Sequence, residues 1–352
     1  MSNNQKNILF KVESNKEIGT GHLMRCLTLA NALRDSGNRV YFLLNDTDQS
    51  SINLIKKMRF SIIFLKNQKR NSISILEDAF LTKKNIEKNN LESSYLVIDN
   101  YKIDKKWELI LRKTVKKIIL IDDMANREHD CDILIDQNYF IKNMANRYSK
   151  LVPKKCKLFL GPKFAIIRPE FLVLKKKVKI RNSLKKILIS FGGTDPTNET
   201  MKVLKIIKKS KFNNIKFIII SGRLNAHKSE IKNICKKFKN IVFYSHTKKI
   251  ADIMLDVDLS FGGGGTTTWE RCFVELPTIA TILTKEQKAI VESMTKIGCM
   301  MNLGSAKKIT KNDYENALDS INSKKLKKMS QACEKFIDGK GVYRLSKIIS
   351  NL

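Results

Sequence analysis

The chain has no apolar stretch of about 18 residues, the length a membrane-spanning helix needs. Its first residues, Met1-Ser2-Asn3-Asn4-Gln5-Lys6, lead straight into a strand-like run without the apolar core of a signal peptide. A cytoplasmic protein with no stable membrane insertion is expected. Paired cysteines are lacking as well. Cys26, Cys131, Cys156, Cys235, Cys272, Cys299 and Cys333 are odd in number, far apart and never spaced Cys-x-x-Cys, so they read as reduced, mostly buried thiols with no zinc site among them. Histidine occurs four times and no His/Asp/Glu group has ligand spacing, so neither a metal nor a cofactor is expected. No short-period repeat is present, which argues against a solenoid.

Acidic residues are few beside basic ones: 34 Asp and Glu face 67 Lys and Arg, a formal net charge of +33. Such a balance invites a nucleic-acid or anionic-membrane reading. The lysines, however, are spread along the whole chain together with many Asn and Ile residues, the composition an AT-rich genome produces. Runs such as Lys175 to Lys177, or Lys324, Lys325, Lys327 and Lys328, read as solvated faces, and aromatic residues do not interleave with them as a single-strand-binding groove needs. No nucleic-acid partner is expected, and a monomer is the default; a non-catalytic nucleic-acid-binding protein remains the rival that charge alone would explain.

What is present is a globular composition, 42% hydrophobic over 352 residues, long enough for two domains. Short apolar runs alternate with amphipathic stretches, the pattern of parallel strands joined by crossover helices. Strands are expected at 7–12, 40–44, 61–65, 95–98 and 117–121, with a helix over 22–36. The pattern restarts after a basic, helix-like passage at 172–179, with strands at 186–190, 217–220, 241–244, 257–260 and 278–281. The fold class is therefore α/β, two Rossmann-like domains: 1–170, a linker 171–184, and 185–352 with the C-terminal helices. Ligands of such sheets bind outside the carboxyl ends of the strands, and a cleft between the two halves is expected.

Three segments carry chemistry. Gly19-Thr20-Gly21-His22-Leu23-Met24-Arg25 follows the first strand; its glycines allow a tight turn, and His22 then sits at a helix start that disfavours the imidazolium, as a general base requires. A helix-capping role fits an isolated Gly-x-Gly-His equally well. Of the other histidines, His129, His227 and His246 lie in a polar turn, an exposed helix start and a loop before a helix. Ser190-Phe191-Gly192-Gly193-Thr194-Asp195 ends a strand in a glycine pair and a hydroxyl, whose freed amides suit a phosphate, although a plain strand-to-helix turn uses the same residues. The most specific is Gly262-Gly263-Gly264-Gly265-Thr266-Thr267-Thr268-Trp269-Glu270. Four successive glycines make sense where a ligand must approach the backbone closely, the threonines are able to donate to phosphate, and Glu270 is placed to accept both hydroxyls of a ribose. This is neither a Walker pattern nor Gly-x-Gly-x-x-Gly, so a nicotinamide cofactor is not expected.

Taken together, Gly19-x-Gly21-His22-x-x-Arg25, Asp99-Asn100-Tyr101, Ile121-Asp122-Asp123, Cys131-Asp132-Ile133-Leu134-Ile135, Phe191-Gly192-Gly193-Thr194-Asp195 and Gly265-Thr266-Thr267-Thr268-Trp269-Glu270-Arg271 resemble one family over roughly residues 8 to 305. It is the UDP-2,4-diacetamido-2,4,6-trideoxy-β-L-altropyranose hydrolases of pseudaminic acid biosynthesis, relatives of the lipid-linked N-acetylglucosamine transferase of peptidoglycan synthesis. The resemblance implies the glycosyltransferase-B (GT-B) fold and a UDP-sugar substrate held mainly by the C-terminal half. Glu270 would bind the ribose, the 262–267 segment with Gly264, Gly265, Thr266 and Thr267 the diphosphate, together with Gly193 and Thr194, and His22 would activate water. Gly21, Arg25, Tyr101 and Gln287 match further substrate-binding positions. The chain departs from the family in having Glu286-Gln287 where Asn-Gln is usual; the extra carboxylate either alters the substrate or simply begins a helix. A glycosyltransferase of the same fold is the alternative.

Overall fold

Ile- and Val-rich runs bounded by amphipathic helices produce strands buried on both faces, and such strands pair in parallel. The computed structural model describes residues 5–13, 21–45, 47–65, 73–142, 144–222, 224–245, 247–334 and 336–352; Gly19, Thr20 and His246 lie outside the described residues. Two units result, one formed by Met1–Ile166 with Lys340–Leu352, the other by Ile167–Gly339.

The first unit runs β1 (Asn7–Val12), α1 (Gly21–Asp35), β2 (Arg39–Leu44), α2 (Gln49–Lys57), β3 (Ser61–Phe64), α3 (Ile75–Lys88), β4 (Tyr95–Asp99), α4 (Lys105–Leu111), β5 (Lys117–Ile121), β6 (Ile133–Asp136) and β7 (Lys157–Leu160). Its seven strands are parallel in the order β3-β2-β1-β4-β5-β6-β7. The second unit runs α5 (Pro169–Leu172), β8 (Lys186–Ser190), α6 (Glu199–Ile207), β9 (Lys216–Ile220), α7 (Lys228–Cys235), β10 (Ile241–Tyr244), α8 (Ile250–Asp256), β11 (Leu259–Gly263), α9 (Thr267–Phe273), β12 (Thr278–Ile282), α10 (Gln287–Ile297), β13 (Met300–Ser305), α11 (Lys311–Asp319) and α12 (Ser323–Glu334). Its parallel order is β10-β9-β8-β11-β12-β13. Ten strands match the sequence expectation within about two residues at most edges; β6, β7 and β13 are additional. Among the described residues no helix is long and apolar enough to cross a membrane.

Strand order places the sites. In the first sheet the chain reverses its winding between β1 and β4, and in the second between β8 and β11. The loops leaving two such neighbours diverge to opposite faces, opening a crevice at the strands' carboxyl ends.

The domain boundaries expected from sequence need two corrections. Residues 171–184 are no free linker but part of the second unit. Buried Arg181 donates to the carbonyls of Met254 (3.2 Å), Leu255 (3.3 Å) and Val257 (3.4 Å) at the end of α8, groups left without helical partners, while Lys175 pairs with Glu275 at 2.9 Å. The expected basic helix over 172–179 is reduced to α5 and a single 3-10 turn at Lys175–Lys177.

The last helix, α13 (Gly341–Ser350), belongs to the first unit. Its apolar side, Val342, Leu345 and Ile349, joins the core that holds Leu29, Ala30 and Leu33 of α1, and Asn38 and Lys6 donate to Ser350 at 3.0 and 2.5 Å. Close approach is secured by Gly341, where an added Cβ would stand 2.2 Å from the carbonyl oxygen of Ala165. Gly341→Val should therefore destabilise the first unit by about 1–3 kcal/mol, read as a lower urea midpoint; an unchanged midpoint would mean that α13 is not needed there.

Candidate functional site

Residues three apart on a helix share a face, and α1 uses this at its first turn to aim His22 and Arg25 at the end of β4. There the buried Asp99 carboxylate receives Arg25 through Nε on Oδ2 (2.6 Å) and Nη2 on Oδ1 (2.6 Å). His22 Nδ1 stands 2.5 Å from Asp99 Oδ1. A contact that short to an ionised oxygen makes Nδ1 the donor, so in the neutral ring the lone pair lies on Nε2. Arg25 Nη2 also lies 3.2 Å from Nδ1, but a nitrogen that already carries a proton accepts nothing; that approach is proximity imposed by their shared carboxylate. Burial alone would raise the Asp99 carboxyl, yet Arg25 and then His22 outweigh it and hold it far below the usual carboxylate range.

Further carboxylates crowd the same strand ends. Asp123, just after β5, accepts from Arg25 Nη1 at 3.0 Å; burial opposes its charge, but Arg25 and His22 keep it lowered. Tyr101, two residues past Asp99, sets its ring edge-on to His22, with centroids 4.5 Å apart and planes at 88°. Burial and then Asp123 push its phenol well above the ordinary value, so it stays a neutral donor. Asp136 ends β6, and burial with Asp123 nearby raises it to about 7; it accepts from Tyr148 at 3.0 Å and Arg147 at 3.2 Å. Gly21, His22, Arg25 and Tyr101 thus fall at one place, the β1/β4 switch point. His129, by contrast, is buried against Glu108 with Nδ1 at 2.7 Å from Oε1 and has no part in that group; within its loop between β5 and β6 it is a structural residue.

In the second unit the glycine run forms the equivalent place, the end of β11 and the turn into α9, and the protein's own side chains crowd it. An added Cβ would lie 2.1 Å from Arg271 Nη1 at Gly262, 2.8 Å from Leu283 Cδ1 at Gly263 and 2.3 Å from Val291 Cγ2 at Gly264. The protein's own side chains therefore demand three of the four glycines. Only Gly265 has room, with its nearest neighbour, Gln287 Nε2, at 3.7 Å. Gln287 Oε1 accepts from the amides of Gly264 (3.0 Å) and Leu283 (3.2 Å), which makes it a clamp on the loop. Gly265, Thr266 and Thr267 remain part-exposed. Glu286 is exposed and stands at the N-terminal boundary of α10, so it begins the helix.

After β8, the amides at the start of α6 are not open to a phosphate as expected. Asp195 takes those of Glu199 at 2.8 Å and Thr200 at 3.0 Å. Gly193 packs its backbone against Gly222, where a Cβ would come within 2.1 Å of the Gly193 oxygen, leaving Thr194 part-exposed beside it. Glu270 is only 7% exposed, and Arg168 grips both of its oxygens, Nε to Oε1 at 2.5 Å and Nη2 to Oε2 at 2.9 Å. A ribose would have to share those oxygens with the guanidinium. Sequence reasoning missed Arg168, whose distance of 102 residues from Glu270 hides it, and gave no role to Asp99, Asp123 or Asp136, although each stands at or just after a strand end.

The depressed Asp99 carboxyl has a pH signature. Its stabilisation is present above the unfolded value near about 4 and is lost as pH falls through the lower folded value. Asp99→Asn should cost about 3 kcal/mol at neutral pH, because Arg25 is left buried with one partner fewer, and the gap to wild type should narrow below about pH 4. A gap independent of pH in urea melts would contradict the buried ion pair.

Comparison with known proteins fits this framework. Residues 187–345 match the model of the glycosyltransferase family 28 C-terminal domain. The chain is 28% identical, over 80% of its length, to an uncharacterized protein of Methanocaldococcus jannaschii, and that match spans 56% of the relative. It is 28% identical to the UDP-2,4-diacetamido-2,4,6-trideoxy-beta-L-altropyranose hydrolase of Campylobacter jejuni over 83% of this chain and 97% of that protein. Among solved structures, MurG of Acinetobacter baumannii has a TM-score of 0.67 at 13% identity, covering 99% of this chain and 100% of that one. With its two parallel sheets, the chain has the GT-B fold of two Rossmann-like units.

Proposed function

We propose that the protein is a UDP-sugar hydrolase that releases UDP from UDP-2,4-diacetamido-2,4,6-trideoxy-β-L-altropyranose. The observation that carries this reading is the His22–Asp99 pair, which leaves Nε2 as a base at the switch point of the first sheet. The similarity to the Campylobacter hydrolase over nearly all of that protein supports the substrate.

In the proposed reaction His22 Nε2 takes a proton from water as the water oxygen attacks the anomeric carbon. The bond from that carbon to the diphosphate oxygen breaks, its electron pair leaves with UDP, and the configuration inverts. Asp99 holds the ring in the required tautomer and stabilises the imidazolium that forms, as the carboxylate of a catalytic triad does. UDP leaves as a stable anion, so no carboxylic acid has to protonate it. Gly193, Thr194, Gly265, Thr266 and Thr267 contribute amides and hydroxyls for the diphosphate, and Glu270, steadied by Arg168, accepts from the ribose. Gln287 serves by holding the loop, and Tyr101 by packing on His22.

A glycosyltransferase is the second reading, favoured by the family 28 match over residues 187–345; there the base would deprotonate an acceptor hydroxyl instead of water. UDP release from the named nucleotide sugar, without acceptor or added metal, separates the two. Wild type should release UDP, and His22→Ala should do so about a hundred- to ten-thousand-fold more slowly. UDP binding without release would move the assignment to a transferase, and full turnover by His22→Ala would remove the base.

A further inference from the structure

Outside the site described above, the second unit gathers three cysteines that the sequence keeps far apart. Cys272 lies on α9, Cys299 between α10 and β13, and Cys333 near the end of α12. Their sulfur atoms all lie within 4.8 Å of one another, about the span of two Zn–S bonds of roughly 2.3 Å each. All three side chains are closed off from solvent, at 2%, 1% and 1% exposure.

We propose that Cys272, Cys299 and Cys333 form a binding site for one soft, thiophilic metal ion, of which Zn(II) and Cu(I) are the biological candidates. Free cysteines also pack as small hydrophobes, but three sulfurs from three separate elements within reach of one another make the donor set of a shared ion. A second observation comes from Arg271, the residue before Cys272. The residue is 2% exposed and, among the described residues, its Nε has no partner; Nη2 donates to Gly263 O at 2.5 Å and Thr268 Oγ1 at 3.3 Å. A buried cation needs a counter-charge, yet the neighbouring Glu270 is taken by Arg168. Three thiolates carry a net charge of −1 around Zn(II) and −2 around Cu(I), an anionic group one residue along the chain from the buried cation of Arg271. Binding forms three metal–sulfur bonds, releases the thiol protons to solvent and involves no electron transfer.

The site would tie α9, which carries Thr267 and Glu270, to β13 and α12. Soft thiolate donors select Zn(II) or Cu(I) over hard cations, and an ion bound only by the folded chain raises its stability.

The test uses the full chain, reduced and stripped of metal, titrated separately with Zn(II) and with Cu(I) under anaerobic conditions. Metal content after desalting and the thermal midpoint are the readouts. One equivalent of either ion should be retained and the midpoint should rise; the arm that succeeds identifies the metal. Cys299→Ser and Cys333→Ala should each lose the ion, while Cys235→Ser, buried elsewhere in α7, should keep it. Retention of neither ion by the wild-type chain overturns the site without reference to any variant. Undiminished retention by both cluster variants overturns it equally.

Discussion

Asp99 is the buried charge around which the first unit's crevice is organised. A lone carboxylate in that interior would be costly, so the chain must bring it donors, and it does so from the first turn of α1. One guanidinium and one imidazole then become fixed relative to β4. Because Arg25 also reaches Asp123, the start of α1 is tied through side chains to the carboxyl ends of β4 and β5. The same bonds that stabilise Asp99 aim the imidazole, so stability and chemistry rest on one interaction.

The second unit solves a different problem. Its glycine run lets Arg271 of α9, Leu283 just after β12 and Val291 of α10 pack directly against the loop backbone. Gln287 then fixes the Gly264 amide. The stretch from Gly265 to Thr267 and the Gly193–Thr194 turn stay part-exposed. Bidentate pairing with Arg168 likewise holds the buried Glu270 carboxylate in one rotamer.

Much of the fold was legible because buried parallel strands are continuous apolar runs, as at Lys117–Ile121 and Lys186–Ser190, where expectation and structure agree. The strands β6 and β7 were not foreseen: they are four residues each and no long amphipathic helix separates them. The return of α13 to the first unit is equally hidden, since an amphipathic helix does not say which core its apolar face joins. At the site, His22 was readable from the glycine spacing before α1, whereas Arg25 and Tyr101 followed from the family resemblance. Arg168 and the three cysteines were not readable, because tertiary partners more than about twenty residues apart leave no local pattern.

The account rests centrally on water attacking the anomeric carbon, and the most direct measurement is hydrolysis of the nucleotide sugar in heavy-oxygen water followed by mass analysis of both products. Label in the freed sugar, with none in UDP, is the predicted result. Label in the terminal phosphate of UDP would place the attack at phosphorus and contradict the role given to His22.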